Sequence, residues 1–157
     1  MKKYVQFLGI SLILFGCAIE PVAIDYGNAS CNFCKMTIVD NRYGCELVTE
    51  KGKIFVFDAP ECMINFKKER SEETDGFRFV LVADFDHPGT LIEASDSFVL
   101  RSEKLPSPMG MFITTFSSEK AAQQSQLKYD GQVYSWQQLY DDFEQLPTLQ
   151  HKQSLVP

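Results

Sequence analysis

Apolar and polar residues alternate in the first half of the chain in a way that predicts a small antiparallel sheet. Residues 44–50 place Cys45 and Leu47 on one face of a strand and acidic side chains on the other. A tight turn at residues 50–53 leads to a second apolar run at residues 54–57, so the two runs predict a β-hairpin. Residues 77–85 alternate again and predict a third strand.

A helix is predicted between the hairpin and the third strand. Asp58 is a residue type that caps helix starts, and Pro60 is tolerated in a first turn. Cys62, Met63 and Phe66 lie one turn apart and predict the buried face of this helix.

The second half of the chain repeats this plan at an offset of 59 residues, with Phe57 aligned on Phe116. Its predicted elements are strands at residues 97–102 and 111–116, a helix capped by Ser117 or Ser118 and reaching Gln126, a closing strand at residues 131–136 and a final helix from Trp136 to Phe143. We therefore expect an α+β fold of two similar ββαβ units. Each unit is too small to bury a core alone, so the units are expected to pack on one another.

The N-terminus predicts an exported lipoprotein. Lys2 and Lys3 precede an apolar run at residues 4–15, which is shorter than the roughly 20 residues that span a bilayer. The run ends in Leu14-Phe15-Gly16-Cys17, which resembles a lipobox, although Phe15 is bulky for one. We expect a signal peptide at residues 1–16 and lipid on Cys17; ordinary secretory cleavage with a free Cys17 is the alternative.

The remaining boundaries follow from the same patterns. Residues 17–28 show no helix or strand period and are interpreted as a spacer, and residues 147–157 as a tail. The domain is expected at residues 29–146, with halves at about 29–89 and 90–146. The expected location is the cell envelope, with a lipid anchor in a membrane and the domain facing the periplasm or the exterior.

Composition and charge exclude some functions. The net charge is −6 without any basic stripe, which argues against a nucleic-acid partner. No catalytic Ser-His-Asp set, phosphate-binding glycine loop or carboxylate pair is evident, so the chain is not expected to be an enzyme.

The most reactive stretch is Cys31-Asn32-Phe33-Cys34-Lys35-Met36. A CxxC pair serves several chemistries. Haem attachment is excluded, because Lys35 stands where a histidine is needed. Thioredoxin-like exchange requires a preceding buried strand and a helix start, which are not predicted here, but a thiol-disulfide oxidoreductase using Cys31 and Cys34 remains an alternative.

Four cysteines in the expected mature chain leave two structural alternatives. Cys31, Cys34, Cys45 and Cys62 could pair in two disulfides or close a zinc site. Against the zinc site, the strand pattern places Cys45 beside Leu47, where a small buried side chain is the commoner role.

Methionine favours copper over zinc. The thioether of Met36 lies within chelating reach of Cys34, and soft sulfur ligands suit Cu(I). Met63 or Cys62 on the helix, or Met109 in a Pro-Met-Gly turn, could complete such a site, and the sequence does not decide among the three; Met63 and Met111 also fit core positions.

These residues resemble the NosL family, the nitrous oxide reductase accessory lipoproteins. The resemblance covers about residues 31–140 and rests on the CxxCxM motif, on Phe57-Asp58 followed by Cys62-Met63, and on Ser107-Pro108-Met109-Gly110. It implies a pair of ββαβ units and a membrane-anchored Cu(I) chaperone for the reductase, with a copper-loading transporter as a possible further partner. The implied ligands are Cys31, Cys34, Met36, Met63 and Met109.

The chain departs from this family at two places. Lys35 stands where the family commonly has glycine, and Tyr129-Asp130-Gly131 stands where it commonly has His-Gly-Gly. The two histidines, His87 and His151, are expected to face solvent, so any copper site is expected to be dominated by sulfur.

Overall fold

The structure is a computed structural model that describes residues 18–70 and 76–146. The predicted signal peptide, the lipidation site Cys17 and the tail after residue 146 lie outside the described residues. Within the described ranges, no helix is both long enough and apolar enough to cross a bilayer.

The first unit is a four-stranded antiparallel sheet with one helix. Its strands are β1 (Cys45–Thr49), β2 (Ile54–Phe57), β3 (Phe77–Ala83) and β4 (Leu91–Glu93), and its helix is α1 (Pro60–Glu69). The order across the sheet is β2-β1-β3-β4, so β1 lies between the two strands that follow it.

The second unit is a three-stranded antiparallel sheet with the same plan. Its elements are β5 (Phe98–Arg101), β6 (Ile113–Phe116), α2 (Glu119–Tyr129), β7 (Gln132–Ser135) and α3 (Trp136–Asp142). The strand order β6-β5-β7 repeats the order β2-β1-β3. Two short 3₁₀ helices lie at Ala94–Asp96 and Phe143–Gln145.

The predicted α+β fold of two ββαβ units is confirmed. The repeat also has the predicted offset, because β2 ends at Phe57 and β6 at Phe116, while α1 begins at Pro60 and α2 at Glu119. The short β4 was not predicted, since three residues carry too little alternation to identify a strand.

One helix cap was predicted correctly and one was not. Ser118 caps α2 through its side chain, which accepts the Ala121 N–H. The prediction that Asp58 caps α1 was wrong, because the cap residue is Ala59 and makes no side-chain cap bond. The Asp58 carboxylate accepts the N–H of Val39 instead.

The larger of two apolar clusters joins the two units. Buried residues of the first unit, such as Leu47, Phe57 and Ile64, belong to one apolar cluster with Val99 and Leu139 of the second. The units therefore stabilise each other, as their small size requires.

The segment expected to be a spacer lies against the first sheet. Residues 18–28 contain no helix or strand, but the Val22 N–H donates to Glu46 Oε1 at 3.0 Å and Ile24 is buried. Ile19 lies beside Gly52, where a β-carbon on the glycine would be 3.5 Å from Ile19 Cγ1. The segment thus follows β1 from its hairpin end to its opposite end.

Candidate metal centre

The CxxCxM motif forms a closed loop between two short paired segments. A single antiparallel bridge joins Ser30 and Thr37 at the base of the loop. Across the loop, the Cys31 N–H donates to the Met36 carbonyl at 2.8 Å and the Lys35 N–H to the Cys31 carbonyl at 3.1 Å. The motif is thus a turn, with no helix start at Cys31.

Asn32 attaches this loop to the edge of the first sheet. Its main-chain N–H donates to the Val56 carbonyl at 2.8 Å, and its side-chain Oδ1 accepts the Val56 N–H at 2.7 Å. One residue therefore satisfies both main-chain groups of Val56 on the edge strand β2. We did not predict this role, and an asparagine in a loop gives no sequence signal for it.

Lys35 has a φ of 67°, in the left-handed region that favours glycine. A glycine, which the resembled family commonly has at this position, would adopt this backbone conformation without strain. In this chain the Lys35 ammonium donates to the Asn32 carbonyl at 2.6 Å across the loop. The loop keeps the turn that glycine would give, at a cost of about 1 kcal/mol in backbone strain.

Three cysteines from two distant segments come together at this loop. The sulfur atoms of Cys31, Cys34 and Cys62 all lie within 4.8 Å of one another. A metal–thiolate bond is about 2.3 Å long, as for zinc, so sulfurs at this separation can share one ion. Cys31 and Cys62 are fully buried and Cys34 is half-buried. All three are free thiols in the structure.

Hydrogen bonds hold Cys31 in its charged form. Donation from the Cys62 thiol and from the N–H groups of Asp58, Cys34 and Phe33 lowers the pKa of Cys31 to about 5, against the opposing effect of burial. The same bond, together with burial, strongly raises the pKa of Cys62. Among the three clustered thiols, Cys31 is therefore the first to lose its proton.

Cys34 and Asp58 lie beside Cys31, and the pKa of each is raised, which favours their uncharged forms. Burial raises the pKa of Cys34, although the Met36 N–H opposes this shift. Burial and the charge of Cys31 raise the pKa of Asp58. The Asp58 Oδ1 atom is buried and has no hydrogen-bond partner within the described ranges.

Cys45 is not part of the cluster. Its side chain is fully buried in the core and donates to the Tyr43 carbonyl at 3.2 Å. Its predicted role as a small core residue is confirmed. The alternative of a zinc site with all four cysteines was wrong, because the strand register directs Cys45 into the core. The alternative of two disulfides is likewise not observed, since all four thiols are free.

Cys62 completes the cluster of three thiols; the ligand set implied by the resemblance does not include it, but the sequence leaves it open beside Met63 and Met109 as the residue that completes the site. We had placed it on the apolar face of a helix, and that face is indeed buried. It belongs to the first turn of α1, directly after the strand to which Asn32 attaches the motif loop. The sequence signals were the even number of cysteines and the position of Cys62 after Phe57-Asp58, and neither identified which cysteines meet.

The three methionines occupy different environments. Met36 belongs to the motif loop and is 48% exposed, and Met109 is 38% exposed in the loop before β6. Met63 is fully buried in the main core cluster. Met36 and Met109 are therefore accessible to an incoming partner, whereas Met63 has the surroundings of a core side chain.

A buried carboxylate ties the Met109 loop to the helix that carries Cys62. Glu61 is 1% exposed, and its carboxylate accepts hydrogen bonds from the Ser107 hydroxyl and from the Met111 N–H. The Ser107 hydroxyl also accepts the Phe112 N–H at 2.9 Å. This connection between the two units fixes both ends of the short turn that contains Met109.

The two remaining sequence expectations concern histidine. His87 is exposed and its Nδ1 lies 2.8 Å from the Asp84 carboxylate, so the expectation that it faces solvent is confirmed; His151 lies outside the described residues.

The Tyr129-Asp130-Gly131 stretch lines a cleft of about 460 Å³ in the second unit. None of the three clustered cysteines lines this cleft.

Comparison with known proteins identifies similar chains. A family model described as NosL matches residues 21–143. A crystal structure of the copper chaperone NosL from Shewanella denitrificans aligns with a TM-score of 0.64 at 23% identity, covering 76% of this chain and 95% of that chain. At this identity the structural match establishes the fold. No curated protein matches the chain.

The thiolate on Cys31 can be tested by titration of the reduced, metal-free domain. We expect thiolate ultraviolet absorbance to appear with a midpoint near pH 5, and Cys62→Ala to shift this midpoint upward because the donated hydrogen bond is lost. Cys45→Ala is the control and should leave the midpoint in place.

The same titration has a consequence for stability. The pKa of Cys31 in the folded domain lies below its ordinary value of 9.0. The stabilisation of the folded state by the Cys31 thiolate is therefore fully present above pH 9.0 and is lost as the pH falls through about 5. In the absorbance titration, a single midpoint between pH 8 and 9 would contradict the assignment of a lowered pKa to Cys31.

The connection from Glu61 to the Met109 loop can be tested with Ser107→Ala. This change removes the hydroxyl donor of the buried Glu61 carboxylate, which then keeps only the Met111 N–H, and it leaves the Phe112 N–H without its acceptor, so we expect a loss of about 2–3 kcal/mol in unfolding free energy. Hydrogen exchange should become faster at residues 109–112. Ser97→Ala, which removes a buried hydroxyl bonded to the Ala94 carbonyl, should destabilise the domain without that local effect. Equal exchange at residues 109–112 in both variants would argue against the role of Ser107.

Proposed function

This chain belongs to the NosL family, and we propose that it is a Cu(I)-binding chaperone, which carries copper to another protein without catalysing a reaction. The observation that carries the proposal is the convergence of the Cys31, Cys34 and Cys62 sulfur atoms within 4.8 Å. A structural relative is titled a copper chaperone, which supports the same role.

The donor set favours Cu(I) among the biological metals. Thiolate and thioether ligands are soft and select Cu(I), whereas a structural zinc site is usually closed by four nitrogen or sulfur ligands. Here three thiols converge and Cys45 stays in the core. We propose that a further ligand comes from an exposed thioether, Met36 or Met109, or from another protein.

The graded exposure of the three thiols suits release of the ion. Cys31 and Cys62 are buried, while Cys34 is half-buried and lies on the loop with the exposed Met36. A partner's ligand can therefore displace the metal bonds one at a time from the Cys34 side. Copper exchange between proteins requires such an accessible edge, because a closed site would have to unfold first.

Nitrous oxide reductase is the proposed client, with a copper-loading transporter as a possible second partner. The support is the resemblance of the CxxCxM, Phe-Asp and Pro-Met-Gly motifs to the accessory lipoproteins of that reductase. A lipid on Cys17 is proposed to hold the chain on a membrane of the cell envelope. Export would place the domain outside the cytoplasm.

A thiol-disulfide oxidoreductase is the second candidate, and one observation favours it. The pKa of Cys31 is lowered to about 5, as in reactive CxxC pairs. Exchange also requires that a substrate disulfide reach the attacking sulfur, and Cys31 is only 1% exposed. Burial of the thiolate and the third cysteine both favour metal binding over exchange.

Cu(I) binding can be measured anaerobically against a competing chelator. We expect Cys31→Ser, Cys34→Ser and Cys62→Ser each to weaken binding on the order of 100-fold, which corresponds to about 2.8 kcal/mol. Cys45→Ala should bind like the parent. Equal affinity of parent and Cys31→Ser would refute the site. Turnover on a mixed disulfide without copper binding would instead support the oxidoreductase.

The client can be tested by transfer of copper to metal-free nitrous oxide reductase. Copper-loaded protein should restore the visible absorbance of the reductase's copper centre, and the same amount of copper-loaded Cys34→Ser protein should transfer less. Transfer that is no faster than from the chelator alone would contradict this client. It would leave the binding result unaffected.

A further inference from the structure

The two ends of the first sheet carry different structural features. The β1–β2 turn at residues 50–53 marks one end, which we call the hairpin end. Asn32 pairs with Val56, and the Asp58 N–H donates to Cys31, so the cysteine cluster lies at the other end of the same strand. Six residues of nearly extended chain separate Gly52 from Asp58, or about 20 Å.

The N-terminal segment is attached along this sheet and points toward the hairpin end. From Ile24, which is buried near Gly44, the chain runs backward past Val22 on Glu46 to Ile19 on Gly52. Among the described residues, which begin at Ala18, Ile19 is the first that packs on the sheet. Cys17 is two residues further and can lie at most about 7 Å away.

From this path we propose that the hairpin end is the surface that faces the membrane, and that the cysteine cluster is presented on the side away from the bilayer. The proposal rests on the lipid anchor at Cys17. With the chain held down from Ile19 onward, only Cys17 and Ala18 remain as a tether. A tether this short restricts how far the domain can rotate about its anchor.

Charge is not needed to set this orientation. The hairpin end carries Lys51, Lys53, Arg70 and Arg78, but Glu50 and Glu69 also lie near it. Three further acidic residues occur in the sequence just before β3. With charges of both signs at this end, attraction to anionic lipid is weak and is screened at physiological salt. The orientation should therefore not depend on lipid charge.

The test uses the full lipidated chain on phosphatidylcholine vesicles that contain a headgroup-labelled nitroxide lipid. A fluorescent noncanonical residue is placed at Lys51 on the hairpin end or at Val39 near the cluster; both side chains are exposed. We expect the probe at position 51 to be strongly quenched and the probe at position 39 to lose nearly all quenching. Vesicles with phosphatidylglycerol should give the same pattern.

A control variant carries a flexible glycine-serine insertion between Cys17 and Ala18. It keeps the lipid and every contact from Ile19 onward but lengthens the tether, so the two probes should be quenched more equally. Equal quenching in the parent, or stronger quenching at position 39, would overturn the proposal. Failure of the parent to remain on the vesicles would overturn both the anchor and the orientation. Copper titration of the same samples reports on the chaperone role separately.

Discussion

The pairing of Asn32 with Val56 is the interaction on which the cysteine cluster depends. It attaches a loop to a strand 24 residues further along the chain and so brings Cys31 and Cys34 to the first turn of α1, where Cys62 lies. The same two hydrogen bonds cover Val56 on an edge strand, which would otherwise offer unpaired main-chain groups to another chain. The same contact therefore protects the edge of the sheet and brings the cysteine cluster together.

The regular elements could be predicted because their signals are local. The alternation along β1 and β2 and the matching positions of Phe57 and Phe116 depend only on neighbouring residues or on an internal repeat. The meeting of Cys62 with the motif loop could not be predicted in this way. It depends on a long-range main-chain pairing that an asparagine side chain completes, and no periodicity encodes it.

Two other differences have physical reasons of the same kind. Asp58 is a good cap residue, yet its carboxylate accepts the Val39 N–H, so tertiary structure overrides local preference. Residues 18–24 lack any period because they pack on the sheet as an irregular segment, with single contacts such as that of Val22 to Glu46. Sequence patterns detect regular structure, and irregular packing leaves no pattern of that kind.

The two units share one strand order but contribute different chemistry. Two ββαβ units with the same plan provide two strand-to-helix corners, and only the first of these carries cysteine and methionine. At the 59-residue offset, Cys62 and Met63 correspond to Ala121 and Ala122, which offer no ligand atom in their side chains. The second copy instead supplies the turn that carries Met109, held to the first copy through Glu61. A symmetric backbone plan thus carries an asymmetric set of donor atoms, with the three thiols in one half and the turn that contains Met109 in the other.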